Sequence, residues 1–338
     1  MSLPAIPTPT FTSSELYYVP PKHEALWRYR NRFLTPTKEI ALYSTFKDCW
    51  EASGAEDKQS LLEQYIDWSR VETVNESVIY TTYWPECYGH VFETFFHLHK
   101  YIEDAKHREH KVLLNIPTHF SNLIELADHI FGDRLLNSYL FEQQSMHLFR
   151  DVTVVPNFIG GNPDFFMWNE PPLLDTIRRY YDSNDVASLD RVLLTKTSNN
   201  PNDVLDNLGE IEHVLRDNGF AVINPQHESD GFLFNTIKNA RVLVVGNGSS
   251  LCPLVTLQNQ SVRIFIINAR RYLPKWRQPC KTQQEVTELI SAAPQLALDD
   301  FEKSLWRPVV SRFNTTYLDS FENRITNEQL KVLLANLS

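Results

Sequence analysis

The chain has 338 residues, of which 42% are hydrophobic and 22% are charged, a composition that excludes a mostly disordered protein and predicts two domains. Its net charge of −10 argues against non-specific binding to nucleic acid. No apolar run approaches the ~18–20 residues that a transmembrane helix needs.

The cysteines and the N-terminus predict a cytoplasmic protein. None of the four cysteines lies in a CxxC pair, so free thiols are expected rather than a zinc site or a disulfide scaffold. Residues 1–21 lack the basic and apolar segments of a signal peptide and predict an extended, proline-rich arm. Peripheral association with a membrane stays open.

In the first half of the chain, helical and extended patterns alternate. Apolar residues at helical spacing predict helices at 37–70, with a break near Ser53, and at 89–104, 120–132 and 171–183. Runs of β-branched and aromatic residues predict strands at 77–83, 111–117, 138–143 and 152–158. A polar segment at 182–190 predicts a hinge.

After this hinge the alternation becomes regular. Strands are predicted at 191–196, 221–225, 241–246 and 262–268, and helices at 203–220, at 230–240 and after Gly248. This order predicts a parallel sheet covered on both faces. The chain is therefore divided into an α/β domain over 1–184, a second α/β domain over 185–300 and C-terminal helices over 301–338, with a ligand cleft between the two domains.

A glycine-containing turn is the sharpest local feature of the second half. It joins a buried strand to an apolar helix and consists of Gly246, Asn247, Gly248, Ser249 and Ser250. Glycines let a ligand approach the backbone, and the N–H groups at the start of a helix favour a phosphate. The turn matches neither the Walker motif nor GxGxxG, so a plain strand-to-helix turn with a serine cap stays open.

Further candidate residues lie at the ends of predicted elements. His90 and Glu93 are spaced i,i+3 at the start of a helix, where they could form a general base or a helix-start histidine with a capping glutamate. Lys196 ends a strand and could neutralise a diphosphate or be a surface lysine. Glu228 follows another strand and could bind a sugar hydroxyl or cap the next helix.

These motifs follow one another in the order typical of glycosyltransferase family 61, whose bacterial members include capsule-polysaccharide proteins. The chain resembles that family over about residues 77–270. The resemblance is carried by Tyr88–Glu93, Leu193–Lys196, Asn207–Glu210, Gly219–Phe220 and Val245–Leu251.

The resemblance implies a GT-B-type fold in which two Rossmann-like domains face a cleft. It implies sugar transfer from a nucleotide-sugar donor, a UDP-sugar by preference, to a glycan or other hydroxyl acceptor in polysaccharide or glycoconjugate biosynthesis. The second domain would hold the donor through the glycine turn and Lys196, Asn207, Glu210 and Glu228. His90 or Glu93 would deprotonate the acceptor, no obligatory metal is expected, and the last helix would pack back on the first domain.

Several positions differ from the family pattern and favour other hypotheses. Lys196 stands in place of an arginine, Leu208 of a glutamate, Asn247 of a histidine, and Phe232–Leu233 of a Glu-Gln pair. The second hypothesis is a non-catalytic, glycosyltransferase-like subunit that binds a glycan or assembles with a partner enzyme. The third is a nucleotide-sugar epimerase on the same fold.

Overall fold

The fold was analysed in a computed structural model of the chain. It describes residues 11–13, 15–20, 32–34, 40–43, 68–81, 87–103, 107–142, 145–155, 171–182, 186–196, 204–246, 248–269, 313–320 and 323–335. The chain divides into two compact units, Met1–Gly160 and Gly161–Ser338. Among the helices of these ranges, none combines the length and the apolar character needed to cross a bilayer.

The first unit is built on a mixed sheet whose strand order is β4-β3-β2-β8-β5-β6-β7, with β1 also paired to β8. The neighbours β8, β5, β6 and β7 run parallel, whereas β1 to β4 join by antiparallel pairing. The strands are β1 (Phe11–Ser13), β2 (Leu16–Val19), β3 (Arg32–Leu34), β4 (Ile40–Tyr43), β5 (Val71–Thr81), β6 (Lys111–Leu114), β7 (Leu135–Asn137) and β8 (Met146–Val155).

Aromatic side chains fill the core of this sheet. Tyr18, Phe33, Tyr80 and Phe149 are fully buried, and the ring centroids of Tyr18 and Phe33 lie 5.0 Å apart. Helix α1 (Tyr88–Ile102) follows β5 and packs against β5 and against α2 (Ser121–Phe131). Helix α1 is buried along nearly its whole length because the sheet and α2 both cover it.

The second unit contains a wholly parallel sheet with the strand order β10-β9-β11-β12-β13. Its strands are β9 (Arg191–Leu194), β10 (Ala221–Ile223), β11 (Val242–Gly246), β12 (Arg263–Asn268) and β13 (Asn314–Asp319). Its helices are α3 (Pro171–Tyr181), α4 (Leu208–Asp217), α5 (Asp230–Ile237) and α6 (Asn327–Ala335), and a 3₁₀ helix covers Ser249–Thr256.

Successive residues of each strand point to opposite faces of this sheet, so both faces present apolar side chains. Helices cover both faces. On one side, Leu193, Val244 and Phe265 pack with residues of α4 and α6 in a single apolar core. On the other side, α3, α5 and the 3₁₀ helix pack against one another. The rings of Tyr181 on α3 and Phe234 on α5 have centroids 4.2 Å apart.

The predicted α/β class and the parallel sheet of the second half are confirmed, and so are most predicted elements. The helices predicted at 89–104, 120–132, 171–183, 203–220 and 230–240 all form, with shorter bounds. The strands predicted at 77–83, 111–117, 191–196, 221–225, 241–246 and 262–268 also form. Of the C-terminal helices predicted over 301–338, residues 301–312 lie outside the described residues, and a helix forms at Asn327–Ala335.

Three local predictions are wrong. Residues 40–43, expected in a helix, form the strand β4, because pairing with β3 overrides their helical spacing. Residues 138–140, expected in a strand, form a 3₁₀ helix whose start is capped by Asn137. The helix expected after Gly248 is a 3₁₀ helix, and Pro253 within it cannot donate a backbone hydrogen bond.

The division of the chain also differs from the predicted one. Helix α3 belongs to the second unit rather than to a first domain that ends at residue 184. The predicted N-terminal arm is extended at β1 and β2 but is part of the sheet. Helix α6 packs into the core of the second unit through Leu330 and Leu333, beside the unpredicted strand β13.

Replacing Leu333 with alanine should therefore destabilise the second unit. Leu333 is fully buried in the core formed with α4, and deleting a buried leucine side chain costs about 2–5 kcal/mol. Urea unfolding measures the change. Lys331→Ala on the same helix, where the side chain is 72% exposed, serves as the control and should change stability by less than about 0.5 kcal/mol.

Candidate functional site

The strand order of the second unit creates a topological switch point between β9 and β11. From β9 the chain continues through α4 to β10 on one side, whereas from β11 it continues through the 3₁₀ helix to β12 on the other. The connections therefore diverge where these neighbouring strands end. In open parallel sheets, ligands bind in the crevice at this position.

A cavity opens at this carboxyl edge of the sheet. Its volume is about 400 Å³ when the solvent at its mouth is included. Its walls come from the ends of β9, β11 and β12 and from the start of α4, and the residues that line it are Leu193, Leu194, Thr195, Lys196, Val204, Leu205, Leu208, Gly246, Ile267 and Ala269. Most of the lining is apolar, and Lys196 supplies a positive charge.

Lys196 and Gly246 are brought together by the register of the sheet. Leu194 in β9 lies opposite Val245 in β11, so the residues that follow these positions meet at the same edge. Thr195, between Leu194 and Lys196, is buried, and its backbone N–H donates to the Ile223 carbonyl 2.8 Å away. The hydroxyl of Thr195 donates to the Glu212 carboxylate on α4, which ties the end of β9 to that helix.

The two glycines of the predicted turn have different structural roles. A Cβ atom added at Gly246 would meet no atom within 4 Å, so this glycine leaves open space beside the cavity. Gly248 has φ 110° and ψ −146°, a conformation that only glycine adopts readily. Asn247 and the side chain of Ser249 lie outside the described residues, and Ser250 is half-buried in the first turn of the 3₁₀ helix.

The other predicted donor-binding residues do not line the cavity. Asn207 is buried, its amide group donates to the Ile325 carbonyl at 2.8 Å, and its carbonyl accepts from the Ile325 N–H at 3.1 Å. Glu210 pairs with Arg324 at 3.0 Å on the surface. Both residues hold the segment before α6 against α4, which is a structural role. Glu228 is exposed in the loop before α5, where Ser229 caps the helix.

In the first unit, His90 and Glu93 form the predicted pair. Both lie on α1, which follows the carboxyl end of β5, and Nδ1 of His90 lies 3.4 Å from Oε2 of Glu93. The Glu93 side chain is buried, whereas that of His90 is 28% exposed. The imidazole therefore connects a buried carboxylate to the surface of the unit.

The protonation of this pair is set by burial and by a third residue. Burial lowers the pKa of His90, but the neighbouring side chains of Cys87 and Glu93 outweigh this effect and raise that pKa to about 10. Burial raises the pKa of Glu93, and the neighbouring His90 opposes this change. At neutral pH the imidazole is therefore protonated on both nitrogens and positively charged.

Cys87 is the residue of this site that the sequence did not single out. It occupies the N-cap position of α1, three residues before His90. The signal that could have revealed it is the repeated spacing of Cys87, His90 and Glu93, since residues three apart are neighbours on a helix.

The chain fits no protein-family model, and no curated protein sequence is significantly similar to it.

Alanine substitutions at Gly248 and at Gly246 should distinguish the effect of backbone strain on stability from the effect of an added methyl group in open space. Gly248→Ala should lower the free energy of unfolding by about 1–3 kcal/mol, because alanine is strained at the observed dihedral angles. Gly246→Ala is the matched control and should change stability by less than about 0.5 kcal/mol, because its Cβ meets open space. Equal stability of the two variants in urea unfolding would contradict the conformation assigned to Gly248.

Proposed function

We propose that this protein is a glycosyltransferase that moves a sugar from a nucleotide-sugar donor to a hydroxyl acceptor. The observation that carries the proposal is that Lys196 and Gly246, which come from two separate motifs, line one cavity at the switch point of a parallel sheet. This is the position at which such sheets bind nucleotides. The similarity of these motifs to glycosyltransferase family 61 selects a nucleotide sugar among the nucleotide ligands.

The lining of the cavity supports a nucleotide sugar as the proposed ligand. Its apolar walls suit the flat base and the sugar carbons, and the ammonium group of Lys196 can neutralise a diphosphate. Leu208 begins α4 at the cavity, and the N–H groups at a helix start favour phosphate oxygens. As the bond between the sugar carbon and the diphosphate oxygen of the donor breaks, Lys196 would stabilise the charge that develops on the leaving diphosphate.

The acceptor hydroxyl must lose its proton as it attacks the sugar carbon. In the proposal this proton passes to His90, which the buried carboxylate of Glu93 orients. The proposal includes a GT-B arrangement in which the two units close over donor and acceptor, and a cytoplasmic setting. A UDP-sugar is the preferred donor and a glycan the preferred acceptor.

Nucleotide binding should raise the thermal stability of the protein and should depend on Lys196. A thermal-shift panel with UDP, GDP, CMP and their sugar conjugates, with and without Mn²⁺, measures this effect. Ligand at 100 times its Kd adds about 2.7 kcal/mol of stability. Lys196→Ala should weaken binding about tenfold or more, because it removes a charged partner of the diphosphate.

Lys331→Ala is the matched control for this loss of a lysine, since Lys331 is exposed on α6 and does not line the cavity. Its nucleotide affinity should equal that of the wild type. A folded protein that binds none of these nucleotides would contradict the transferase proposal and would favour the non-catalytic, glycan-binding subunit. Conversion of the donor without an acceptor would instead indicate an epimerase.

The transfer rate should rise with pH across the neutral range. Only neutral imidazole accepts a proton, and the pKa of His90 is about 10, so the rate at saturating donor should increase about tenfold per pH unit between about pH 7 and pH 9. Glu93→Gln removes one of the charges that raise this pKa, so its profile should shift to lower pH. A His90→Gln variant that keeps the wild-type rate and profile would exclude His90 as the base.

A further inference from the structure

We propose that Thr195 determines the ligand specificity of the cavity at the switch point, because it accepts a hydrogen bond from a hydroxyl group on a phosphorylated sugar ring. This role rests on the proposed function, since Lys196 must hold the phosphate of the same ligand. It adds a chemical requirement to that function: a ring attached to the phosphate must carry a free hydroxyl group.

Thr195 brings an uncharged polar group to an otherwise apolar wall. Among the residues that line the cavity in the described part of the chain, Thr195 and Lys196 alone have polar side chains. They are consecutive, so their Cα atoms are only about 3.8 Å apart. A ligand whose phosphate binds Lys196 therefore brings its neighbouring atoms to Thr195. Lys196 attracts any phosphate, so selection among phosphorylated ligands depends on Thr195.

The hydroxyl of Thr195 can offer the cavity only an acceptor. It donates its one proton to Oε1 of Glu212 on α4, and carboxylate oxygens accept hydrogen bonds without donating any. Oε2 of Glu212 lies 3.5 Å from Arg216, which holds the carboxylate from its other side. The proton of Thr195 is thereby committed to Glu212, and the lone pairs of its oxygen are what a ligand can use.

The register of the sheet leaves room for a ligand atom beside Thr195. Strands β9 and β11 are aligned so that Thr195 and Gly246 follow directly opposed residues. Leu193 and Val244, two residues earlier on the same strands, belong to one apolar core, so Thr195 and Gly246 point to the same face of the sheet. A Cβ atom at Gly246 would meet no atom within 4 Å, and this open space lies next to the threonine.

These groups fix how a ligand lies in the cavity. Phosphate oxygens only accept hydrogen bonds, so they are disfavoured at the Thr195 oxygen, which the Glu212 carboxylate backs, and favoured at the Lys196 ammonium group. A hydroxyl group can donate to Thr195. In a nucleotide sugar, that hydroxyl can belong to the ribose or to the transferred sugar, since both rings are attached to the diphosphate.

Two matched pairs of ligands test the requirement and distinguish the two rings. UDP is compared with 2′,3′-dideoxy-UDP, and UDP-glucose with UDP-2-deoxyglucose, by isothermal titration calorimetry of the wild-type protein. In at least one pair, the hydroxyl-bearing ligand should bind about tenfold or more tightly, because its partner leaves the buried acceptor of Thr195 unpaired. Equal affinities within both pairs overturn the proposal.

The variant Thr195→Val keeps the shape of the side chain and removes its oxygen. It should weaken the hydroxyl-bearing ligand about tenfold and leave the affinity of the deoxy ligand unchanged, whereas Thr195→Ser should keep the wild-type discrimination. The pair whose difference this variant abolishes identifies the ring. Thr236→Val is the matched control, because Thr236 is also buried but lies on α5 and does not line the cavity. A Thr195→Val variant that keeps full discrimination, or that weakens both ligands equally, overturns the proposal.

Circular dichroism establishes that each variant is folded. If Thr195→Val does not fold, Thr195→Cys decides, because its thiol can still donate to Glu212 while its sulfur is a weak acceptor. Discrimination should then fall severalfold. A folded Thr195→Cys variant with wild-type discrimination overturns the proposal.

Failure of this role is distinguishable from failure of the proposed function. Binding of UDP and UDP-glucose without discrimination overturns the role of Thr195 and leaves nucleotide binding intact. If no nucleotide binds, the transferase proposal fails, and glucose 1-phosphate and 2-deoxyglucose 1-phosphate then test Thr195 without a nucleotide. A preference for glucose 1-phosphate that Thr195→Val abolishes supports the role, whereas equal binding or no binding of the two overturns it.

Discussion

Parallel hydrogen bonding of β9 to β10 on one side and to β11 on the other is the constraint on which the second unit depends. A parallel neighbour can be reached only by a crossover, so the chain must leave β9 in one direction and return past it to form β11. The crossovers of β9 and β11 therefore part above the sheet edge. The cavity lies where they part, and Lys196 and Gly246 line it because Gly246 ends β11 and Lys196 follows the end of β9.

The same sheet explains why the C-terminal segment belongs to the second unit. The face that Leu193 and Val244 present must be covered, and α4 covers only part of it. Helix α6 supplies Leu330 and Leu333 to complete the cover. Asn207 fixes this arrangement, because both hydrogen-bonding groups of its buried amide are used by the backbone of Ile325. A buried amide that is hydrogen-bonded in this way stabilises the fold.

Local pattern was sufficient to predict elements whose own residues are buried. Strands β9, β11 and β12 are continuous apolar runs, so they can be recognised as strands without knowledge of the strands with which they pair. Strand β13 was not predicted because it lies at the sheet edge and buries only Tyr317 and Leu318 of its six residues. Strand β4 was missed because its apolar spacing also fits a helix, and only pairing with β3 distinguishes the two.

The candidate site could be predicted only in part. Lys196 and Gly246 could be placed together because the carboxyl ends of parallel strands share an edge, whatever their side chains are. The structural contacts of Asn207 and Glu210 could not be predicted, because their partners Ile325 and Arg324 lie more than a hundred residues away and no local pattern links them. Motif similarity identifies residue types, whereas the roles of these two residues follow from long-range contacts.

The positive charge on His90 is the main obstacle to its proposed role as a base. Only neutral imidazole can accept a proton from a sugar hydroxyl. With a pKa of about 10, reaching the neutral form at pH 7 costs roughly 4 kcal/mol. Both Cys87 and Glu93 raise this pKa. In the proposed reaction, an acceptor that displaces either side chain from the imidazole would therefore lower the pKa of His90 and ease the proton transfer.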